Sequence, residues 1–198
     1  MRLAIFDLDN TLLGGDSDHA WGEFLIRQGL ADARQHAEQN DEFYRQYEQG
    51  RLDIHAYVRF TLGPVLDKSL DELALLHEKF MHQHIRPMML PKAMELVQSH
   101  QRNGDRCLIM SATNAFITTP IAREFGIQTL LATDLEIADN HYTGAISGIP
   151  CFQDGKVLRL QEWLELQNDK YNIGESVFYS DSFNDLPLLK KVGNPVAV

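Results

Sequence analysis

Near its N-terminus the chain carries an apolar run that leads directly into acidic side chains: Leu3-Ala4-Ile5-Phe6-Asp7-Leu8-Asp9-Asn10-Thr11-Leu12. Four apolar residues with almost no preceding tail predict a parallel strand that is buried on both faces. Ligand sites of open α/β sheets lie at the carboxyl ends of such strands. The run therefore predicts a ligand site at Asp7 and Asp9.

The spacing of Asp7 and Asp9 predicts a bend. Residues two apart on a straight strand lie on the same face but about 7 Å apart along it, so both carboxylates can converge on one ligand only if the chain leaves strand geometry near Leu8. After such a bend, one carboxylate can act as nucleophile and metal ligand while the other transfers protons. The alternative is a helix cap or a turn, because Asp and Asn commonly follow strands.

Length and composition favour one enzyme domain with an insertion. The chain has 198 residues, 44% of them hydrophobic, and a formal net charge of −10. An acidic chain without a basic stripe is a poor candidate for nucleic-acid binding, because neutralisation of phosphates drives that affinity. No signal peptide or membrane span is predicted, and we expect a cytoplasmic protein. Cys107 and Cys151 lack CxxC spacing and are expected to be reduced thiols.

The periodicity of apolar residues changes along the chain and divides it into two parts. Residues 17–88 have helical spacing, and Ser69 followed by Glu72 predicts a capping box there. After Pro91 strands and helices alternate, which is typical of βαβ units and a parallel sheet. We predict an α/β fold, a Rossmann-like parallel sheet flanked by helices, with residues 1–13 and 90–198 as the core domain. Residues 14–89, named here the helical insertion, form an all-helical second domain.

The elements of the core domain can be predicted individually. Helices are expected at 92–102, 120–125, 157–166 and 186–192. Strands are expected at 106–110, 129–132, 176–180 and 195–198, with a hairpin at 138–146 around Asp139-Asn140.

A second acidic cluster follows a second apolar strand, in Val177-Phe178-Tyr179-Ser180-Asp181-Ser182-Phe183-Asn184-Asp185. Asp7, Asp9, Asp181 and Asp185 cannot converge without a cation, and oxygen-rich sites select hard cations such as Mg²⁺. The alternative is a helix start capped by Asp181 or Ser182.

Two further side chains have positions that suit phosphate chemistry. Ser111 follows the strand at 106–110 and offers a hydroxyl to a phosphoryl oxygen, and Lys156 offers a positive charge at a helix start. Each is a weak signal alone, because a serine after a strand is usually a turn residue and a lysine is usually solvated.

In this order the four motifs resemble those of the haloacid-dehalogenase (HAD) superfamily of phosphohydrolases, over essentially the whole chain. The matching segments are DLDNTL, the Ser of SATN, the Lys of DGK and the DSFND pair. The insertion after the first motif is similar to a C1 cap, and the layout is similar to the phosphoserine-phosphatase-like branch. Other fragments look like bacterial hydrolases of that branch, some of them assigned to histidinol phosphate.

The resemblance implies roles for the motif residues. Asp7 would attack phosphorus and form an aspartyl phosphate, and Asp9 would protonate the leaving alcohol and then activate water. Mg²⁺ would be held by Asp7, the backbone carbonyl of Asp9, and Asp181. Asp185 would support the metal site or orient Lys156, and Ser111 would bind the phosphoryl group.

Substrate contacts are expected in part from the helical insertion. Aligned with phosphoserine phosphatases, Asp16 stands near the place of a Glu that holds the substrate amine, and Arg59 near that of an Arg that holds its carboxylate. Histidinol phosphate has an amine and no carboxylate, so it would need Asp16 alone. Thr11, Ala112 and Asn184 are the other substrate-binding candidates. For Asp16 and Arg59 the alternative is a charge on a helix surface.

The predicted function is a Mg²⁺-dependent phosphomonoester hydrolase that acts on a small metabolite phosphate, as a monomer or homodimer. The alternatives are a phosphomutase or phosphotransferase on the same scaffold and a non-catalytic phosphate-binding protein. Aromatic residues of the insertion are expected to pack its core rather than form a stacking platform, although part of the group could line a substrate pocket: Phe43, Tyr44, Tyr47 and Tyr57. Relatives commonly continue past the position of Val198, so a C-terminal tail is expected to be missing or removed.

Overall fold

A five-stranded parallel sheet forms the centre of the computed structural model, which describes residues 2–167 and 170–198. The predicted range 1–13 also contains Met1, and the range 90–198 contains Asn168 and Asp169, which lie outside the described residues. The strands are β1 (Leu3–Phe6), β2 (Arg106–Asn114), β3 (Thr129–Thr133), β4 (Leu135–Ala138), β5 (His141–Ile146), β6 (Val177–Ser180) and β7 (Asn194–Ala197). The sheet has the order β3-β2-β1-β6-β7, and β4 and β5 form a separate antiparallel hairpin.

The first strand occupies the middle of the sheet, as its apolar sequence predicts. All four of its residues are fully buried. Ala4 and Phe6 pack into one hydrophobic cluster, whereas Leu3 and Ile5 pack into a second cluster on the opposite face. Because both faces of β1 are covered, Asp7 emerges from the interior of the molecule.

Helices cover the sheet and fill the insertion. They are α1 (Ser17–Arg27), α2 (Ala33–Glu48), α3 (Ile54–Leu62), α4 (Leu70–Phe80), α5 (Arg86–Met88), α6 (Pro91–Arg102), α7 (Ala115–Glu124), α8 (Asp154–Leu166) and α9 (Leu186–Leu189). Short 3-10 turns occur at Gly63–Val65, Ile173–Glu175 and Phe183–Asp185, and a π-helical turn at Met81–Ile85. The predicted capping box of Ser69 and Glu72 is present at the start of α4.

The helical insertion packs on the sheet domain through one aromatic group. Trp21 of α1 lies with its ring centroid 5.1 Å from that of Phe80 and 5.3 Å from that of Phe116, which belongs to α7. Trp21 and Phe80 are fully buried in the same cluster as Phe6 of the central strand. The insertion and the sheet domain therefore share a hydrophobic core.

Two short segments, around Leu13 and around Met89, join the insertion to the sheet domain and are named here the paired connectors. They lie side by side. Leu13 and Met89 form an isolated antiparallel bridge. The amide of Gly14 donates to the Met88 carbonyl over 2.8 Å, and the amide of Leu90 donates to the Leu12 carbonyl over 3.3 Å. Gly14 permits this approach, because a Cβ there would lie 3.0 Å from Leu90 Cδ2.

Several element boundaries differ from those predicted. Strand β2 continues to Asn114, and α7 begins at Ala115 rather than at Pro120, because the side chain of Asn114 accepts the Ile117 amide and caps the helix. Pro120 therefore lies inside α7. Helix α8 begins at Asp154, three residues before the predicted start. Helix α9 is shorter than predicted and follows a 3-10 turn capped by Ser182, so part of the helix-cap alternative for this segment is correct.

Candidate active site

The carboxyl ends of three neighbouring strands meet at one edge of the sheet. Phe6 of β1 pairs with Ile109 of β2 and Tyr179 of β6, so the residues that follow these positions face the same cavity. Asp7, Ser111 and Asp181 all line that cavity. The sequence prediction that these side chains would converge agrees with this placement.

Asp7 lies at the floor of the cavity with a buried lysine beside it. Its Oδ1 accepts a hydrogen bond of 2.8 Å from Lys156 Nζ, which also donates to Asp185 Oδ2 over 2.7 Å. Burial raises the pKa of Asp7 well above its usual value, and the charge of Lys156 opposes that rise. Asp185 is 2% exposed and also accepts from the Ser180 hydroxyl over 2.7 Å. Asp185 therefore orients Lys156.

Asp9 sits beside Asp7 after a bend in the chain. The bend includes Asn10, whose φ is 54°. Asp9 Oδ1 accepts the Ser17 amide at the start of α1 over 2.7 Å, and Oδ2 accepts the Thr113 hydroxyl over 2.9 Å. Burial and the nearby charge of Asp16 raise the pKa of Asp9 to about 7, against the effect of these hydrogen bonds. A carboxyl group with this pKa can both donate and accept a proton near neutral pH.

Asp181 is held by Thr11, which was predicted above to bind substrate. The Thr11 hydroxyl lies 3.2 Å from Asp181 Oδ1 and also accepts the Asp181 amide over 3.2 Å. Thr11 is outside the lining of the cavity. Its hydroxyl is thus placed to orient Asp181, not to contact a substrate.

The donor set suits a hard divalent cation. Asp7 and Asp181 offer carboxylate oxygens on one side of the cavity, and the pKa of each is raised, chiefly by burial. Among residues 2–167 and 170–198, no three His, Cys, Asp or Glu side chains converge closely enough to hold an ion alone. Mg²⁺ does not require such a cage, since one or two carboxylates, a carbonyl, waters and a phosphate commonly complete its shell. The residues present therefore fit Mg²⁺.

The cavity has a volume of about 360 Å³ and a wall built by the helical insertion. Phe43, Tyr44, Tyr47 and Tyr57 all line it, which agrees with the prediction that part of this aromatic group could line a substrate pocket. Phe43 also packs within the insertion, with its ring centroid 5.3 Å from that of Tyr57. The volume is that of a site for a small molecule.

Polar residues that the sequence analysis did not assign also line the wall. They are Asp18, His19, Asn40, Glu48 and Thr113. The sequence signal that could have identified Asp18 is its place two residues after Asp16, which is the N-cap of α1 in the structure; there the charges of Asp16 and Asp9 reach it. That geometry depends on the bend after Asp7, which the sequence does not specify in detail.

The other substrate candidates have different positions. Asp16, Ala112 and Asn184 line the cavity. Arg59 does not, and its Cγ would lie 3.9 Å from a Cβ placed on Gly144, so its side chain runs against the β4–β5 hairpin. The expectation that Arg59 holds a substrate carboxylate is at odds with this position, because α3 turns that face away from the cavity.

A set of hydrogen bonds, named here the latch, joins the end of α2 to the sheet domain at the cavity rim. Tyr47 Oη and Ser182 Oγ are 2.8 Å apart, and Asn184 Nδ2 donates to the Tyr47 carbonyl over 3.1 Å. Gln153 Nε2 donates to the Gly50 carbonyl over 3.0 Å and to Asn184 Oδ1 over 3.1 Å. Gln153 has a φ of 49° and a ψ of −121°, a strained conformation for a residue with a side chain.

Comparison with known proteins agrees with this geometry. Residues 4–190 match the family of haloacid dehalogenase-like hydrolases. The chain belongs to this family. A histidinol-phosphatase of Neisseria meningitidis serogroup C (strain 8013) is 49% identical over 199 residues, covering 100% of this chain and 90% of that protein. The phosphoserine phosphatase SerB1 of Mycobacterium tuberculosis is 31% identical over 209 residues, covering 98% of this chain and 64% of that protein.

Solved structures share the fold. A protein of unknown function from Bordetella pertussis Tohama I superposes with a TM-score of 0.89 at 46% identity, covering 99% of this chain and 89% of that one. A phospho-aspartyl intermediate analogue of phosphoserine phosphatase superposes with a TM-score of 0.70 at 18% identity, covering 99% and 85%. With these relatives, this family member is a phosphatase. In the part of the chain that the structure describes, no helix is long and apolar enough to cross a membrane.

Proposed function

We propose that the chain is a Mg²⁺-dependent phosphomonoester hydrolase that acts through an aspartyl phosphate on a small amino-alcohol phosphate. The proposal rests on the hydrogen bonding of the two carboxylate oxygens of Asp7. One of its oxygens is held by Lys156, while within the described residues the other accepts no hydrogen bond and faces the cavity. A carboxylate held in this way is poised to attack phosphorus.

The chemistry has two steps. In the first, the free oxygen of Asp7 forms a bond to phosphorus, the bond from phosphorus to the ester oxygen breaks, and Asp9 gives its proton to the leaving alcohol. In the second, a water attacks the same phosphorus, Asp9 takes the proton from that water, and the bond to Asp7 breaks to release inorganic phosphate. Asp9 can serve both steps because Ser17 and Thr113 fix its two oxygens.

The phosphoryl oxygens would be neutralised by groups on the floor of the cavity. Lys156 contributes a fixed positive charge, and Ser111 contributes a hydroxyl from the second half of β2. Asp7, the carbonyl of Asp9, and Asp181 would hold Mg²⁺. When bound, the ion supplies further charge neutralisation to the transferring phosphoryl group.

The substrate is proposed to be histidinol phosphate or a close chemical analogue. Among the described residues that line the cavity, Lys156 is the sole Lys or Arg, and it is already paired with Asp7 and Asp185. A substrate carboxylate, as in phosphoserine, would therefore face acidic residues without a cation to pair with. The amine and imidazole of histidinol phosphate suit this wall, and the Neisseria meningitidis relative bears the name histidinol-phosphatase.

The division into two domains remains part of this proposal. Residues 14–89 would form the cap that shapes substrate choice, and residues 1–13 and 90–198 would form the catalytic core. The paired connectors at Leu13 and Met89 support these limits, since the chain leaves and re-enters the core at adjoining residues.

The test is phosphate release from histidinol phosphate, phosphoserine and sugar phosphates, each with Mg²⁺ and with chelator. We expect release from histidinol phosphate that chelator abolishes, and no turnover by a folded Asp7→Asn variant. The exposed Asp41→Asn variant is the control and should keep full activity. Substantial turnover by Asp7→Asn would refute the nucleophile. Conversion of a substrate to a second phosphorylated product would instead indicate a mutase or phosphotransferase.

A further inference from the structure

Asp18 is a buried carboxylate that the proposed chemistry does not use. It lies in the first turn of α1 and is 6% exposed, yet it lines the cavity. Its Oδ1 is buried and has no hydrogen-bond partner among the described residues. Buried carboxyl oxygens are almost always paired, because an unpaired one loses its hydration without compensation.

The groups around Asp18 do not supply a counter-charge. Burial raises the pKa of Asp18 well above its usual value, the charges of Asp16 and Asp9 add to that rise, and the Thr113 hydroxyl opposes it. Tyr57 faces the same acidic group, and burial with the charge of Asp18 raises its pKa well above its usual value. Within residues 2–167 and 170–198, the one lysine on the cavity wall is held by Asp7 and Asp185.

Of the described lining residues, His19 is the other basic side chain, and its ring nitrogens face other partners. Its Nδ1 lies 2.6 Å from Asn40 Nδ2, and its Nε2 lies 3.8 Å from Glu23. Among the residues that the structure describes, none therefore offers a cation to the acidic pair of Asp16 and Asp18 inside the cavity.

The walls next to this pair would accommodate a flat organic group. Phe43, Tyr44 and Tyr57 come from α2 and α3 and line the same cavity, together with Leu52 and Ile54. Aromatic faces attract cations as well as rings, so an amine or an imidazolium would be stabilised between them and the carboxylates.

We infer that Asp18 determines specificity, by pairing with the protonated amine or imidazolium of the substrate in the part of the cavity beside Asp16. The inference rests on the proposed phosphatase function and extends it to a substrate class. That class is the phosphate monoesters whose organic part is cationic and lacks a carboxylate. The unpaired oxygen of Asp18 and the acidic neighbour Asp16 would both repel a carboxylate, which sets phosphoserine outside the class.

The test compares two substrates in two variants. Asp18→Asn keeps the size of the side chain and removes its charge. Asp71→Asn is the matched control, since Asp71 is also the second residue of a helix, α4, but is exposed. Histidinol phosphate is the cationic substrate, and 4-nitrophenyl phosphate is the substrate without a cationic group.

We expect Asp18→Asn to lower kcat/KM for histidinol phosphate by about 10- to 100-fold, the usual effect of losing a charged hydrogen bond. The value for 4-nitrophenyl phosphate should change less than about threefold, and Asp71→Asn should change neither. An equal loss with both substrates, or no loss with histidinol phosphate, would overturn the inference.

Binding of histidinol, the product without phosphate, separates this inference from the proposed function. Calorimetry should show at least about tenfold weaker binding of histidinol to Asp18→Asn than to the unmodified chain. If the chain hydrolyses neither phosphate ester, the proposed function fails while this comparison still decides the role of Asp18. Equal binding to both proteins would overturn it. Urea unfolding should show no loss of stability in Asp18→Asn, whereas a large loss would indicate a structural role instead.

Discussion

At the scale of single residues, Lys156 is stabilised by two carboxylates that would repel one another without it. Its Nζ lies 2.8 Å from Asp7 Oδ1, 2.7 Å from Asp185 Oδ2 and 5.8 Å from the centre of the Phe178 ring. The two carboxylates raise the pKa of Lys156 although burial alone would lower it. The amine thus stays charged in a buried site and keeps one oxygen of Asp7 fixed.

Removal of this charge should damage both catalysis and stability. We expect Lys156→Met to lower kcat by about 100-fold or more, because transition-state charge loses its fixed partner. Breaking a buried ion pair by removing one partner costs about 3 kcal/mol or more. Phosphate release and urea unfolding measure the two effects.

The exposed residue Lys92 provides the control for this prediction. Lys92→Met should leave activity unchanged and alter the free energy of unfolding by less than about 0.5 kcal/mol. Wild-type activity in Lys156→Met would contradict the role given to the lysine.

The sequence was most informative for residues that follow a buried strand. Asp7, Asp9, Ser111 and Asp181 follow or end strands whose apolar pattern is plain, and all four line the cavity. Thr11 also follows such a strand, but its hydroxyl contacts Asp181 instead of the cavity. This contact depends on the conformation of the loop after β1, which the sequence pattern does not predict.

At the scale of secondary-structure elements, α1 and α2 approach closely because Gly22 has no side chain. A Cβ on Gly22 would lie 2.6 Å from His36 Nε2, well inside contact distance. The His36 ring cannot simply move away, since it is buried and stacks on Phe60 with a centroid distance of 4.4 Å. Helix α2 carries part of the aromatic cavity wall, so this contact also positions the wall.

Gly22→Ala should therefore destabilise the protein although Ala favours helix. An exposed Gly→Ala change in a helix gains roughly 0.5–1 kcal/mol, whereas overpacking costs about 1–3 kcal/mol. We expect a net loss of about 1 kcal/mol, measured by urea unfolding. Gly63→Ala is the control, because a Cβ at Gly63 would meet no atom within 4 Å.

A second substitution tests whether the clash is the cause. The His36→Ala change creates space for the new methyl group, so Gly22→Ala should cost less in that background than in the unmodified chain. An equal cost in both backgrounds would contradict the proposed contact.

Helices α4 and α7 meet through His77, which should make stability depend on pH. His77 Nε2 lies 3.0 Å from the Ile117 carbonyl oxygen, and burial lowers the pKa of His77 to about 4. The unfolded chain has the ordinary pKa of about 6.5. As the pH falls from about 6.5 to 4, the unfolded state binds a proton that the folded state does not, so stability decreases.

The expected contribution of His77 is a loss of roughly 2–3 kcal/mol between pH 7 and pH 4, and none above pH 7. His77→Gln removes the titrating group and retains a donor for Ile117. The difference in unfolding free energy between the two proteins should therefore shrink as the pH falls. A constant difference from pH 7 to pH 4 would contradict the assignment.

Helices and strands with a strong periodicity of apolar residues could be predicted from the sequence. The residues at which they begin and end could be predicted only in part. Helix α6 and strand β3 agree closely with the sequence ranges. The sequence predicts the start of α7 at Pro120, because proline is common in the first turn of a helix. The actual N-cap is Asn114, which follows the buried residues of β2. Ile117 and Ile121 pack in the hydrophobic core, which favours the earlier helix start. This packing involves residues distant in the sequence, so the pattern around α7 alone does not reveal it.

At the scale of the whole molecule, the helical insertion is fixed to the sheet domain at several places around the cavity. The connectors join at Leu13 and Met89, the aromatic cluster packs on α7, and the latch binds the end of α2 to the residues after β6. The latch contains few contacts and includes the strained residue Gln153, so it is the weakest of these attachments.

Loosening the latch should weaken substrate binding more than it slows chemistry. Tyr47→Phe removes the contact with Ser182 Oγ. Loss of one hydrogen bond of about 1 kcal/mol predicts a rise in KM of roughly fivefold. We expect kcat to change less than about twofold, since the group touches no reacting atom.

Tyr171→Phe is the matched control for the latch, because Tyr171 stacks on Trp163 on the other side of the sheet. It should leave both kinetic constants unchanged. A fall in kcat with unchanged KM in Tyr47→Phe would show that the tyrosine acts in the chemistry instead.

The general architecture could be predicted from the sequence, but the contacts between the insertion and the sheet domain could not. The order of strands and helices predicted a parallel sheet with a helical insertion, which the structure and the family match confirm. The shared core of Trp21, Phe80 and Phe116 joins residues far apart in the chain, and no periodicity within one segment indicates which aromatic residues will meet.

The paired connectors have a consequence for how such an enzyme can be remodelled. Because Gly14 and Met88 are joined by a backbone hydrogen bond, the two ends of the intervening segment adjoin one another. A transplanted segment would need adjoining ends, an apolar face to cover Phe116, and a helix start whose amide replaces that of Ser17 at Asp9. The part of the chain that recognises a substrate could thus be exchanged or redesigned as one piece, provided that this single amide contact with Asp9 is kept.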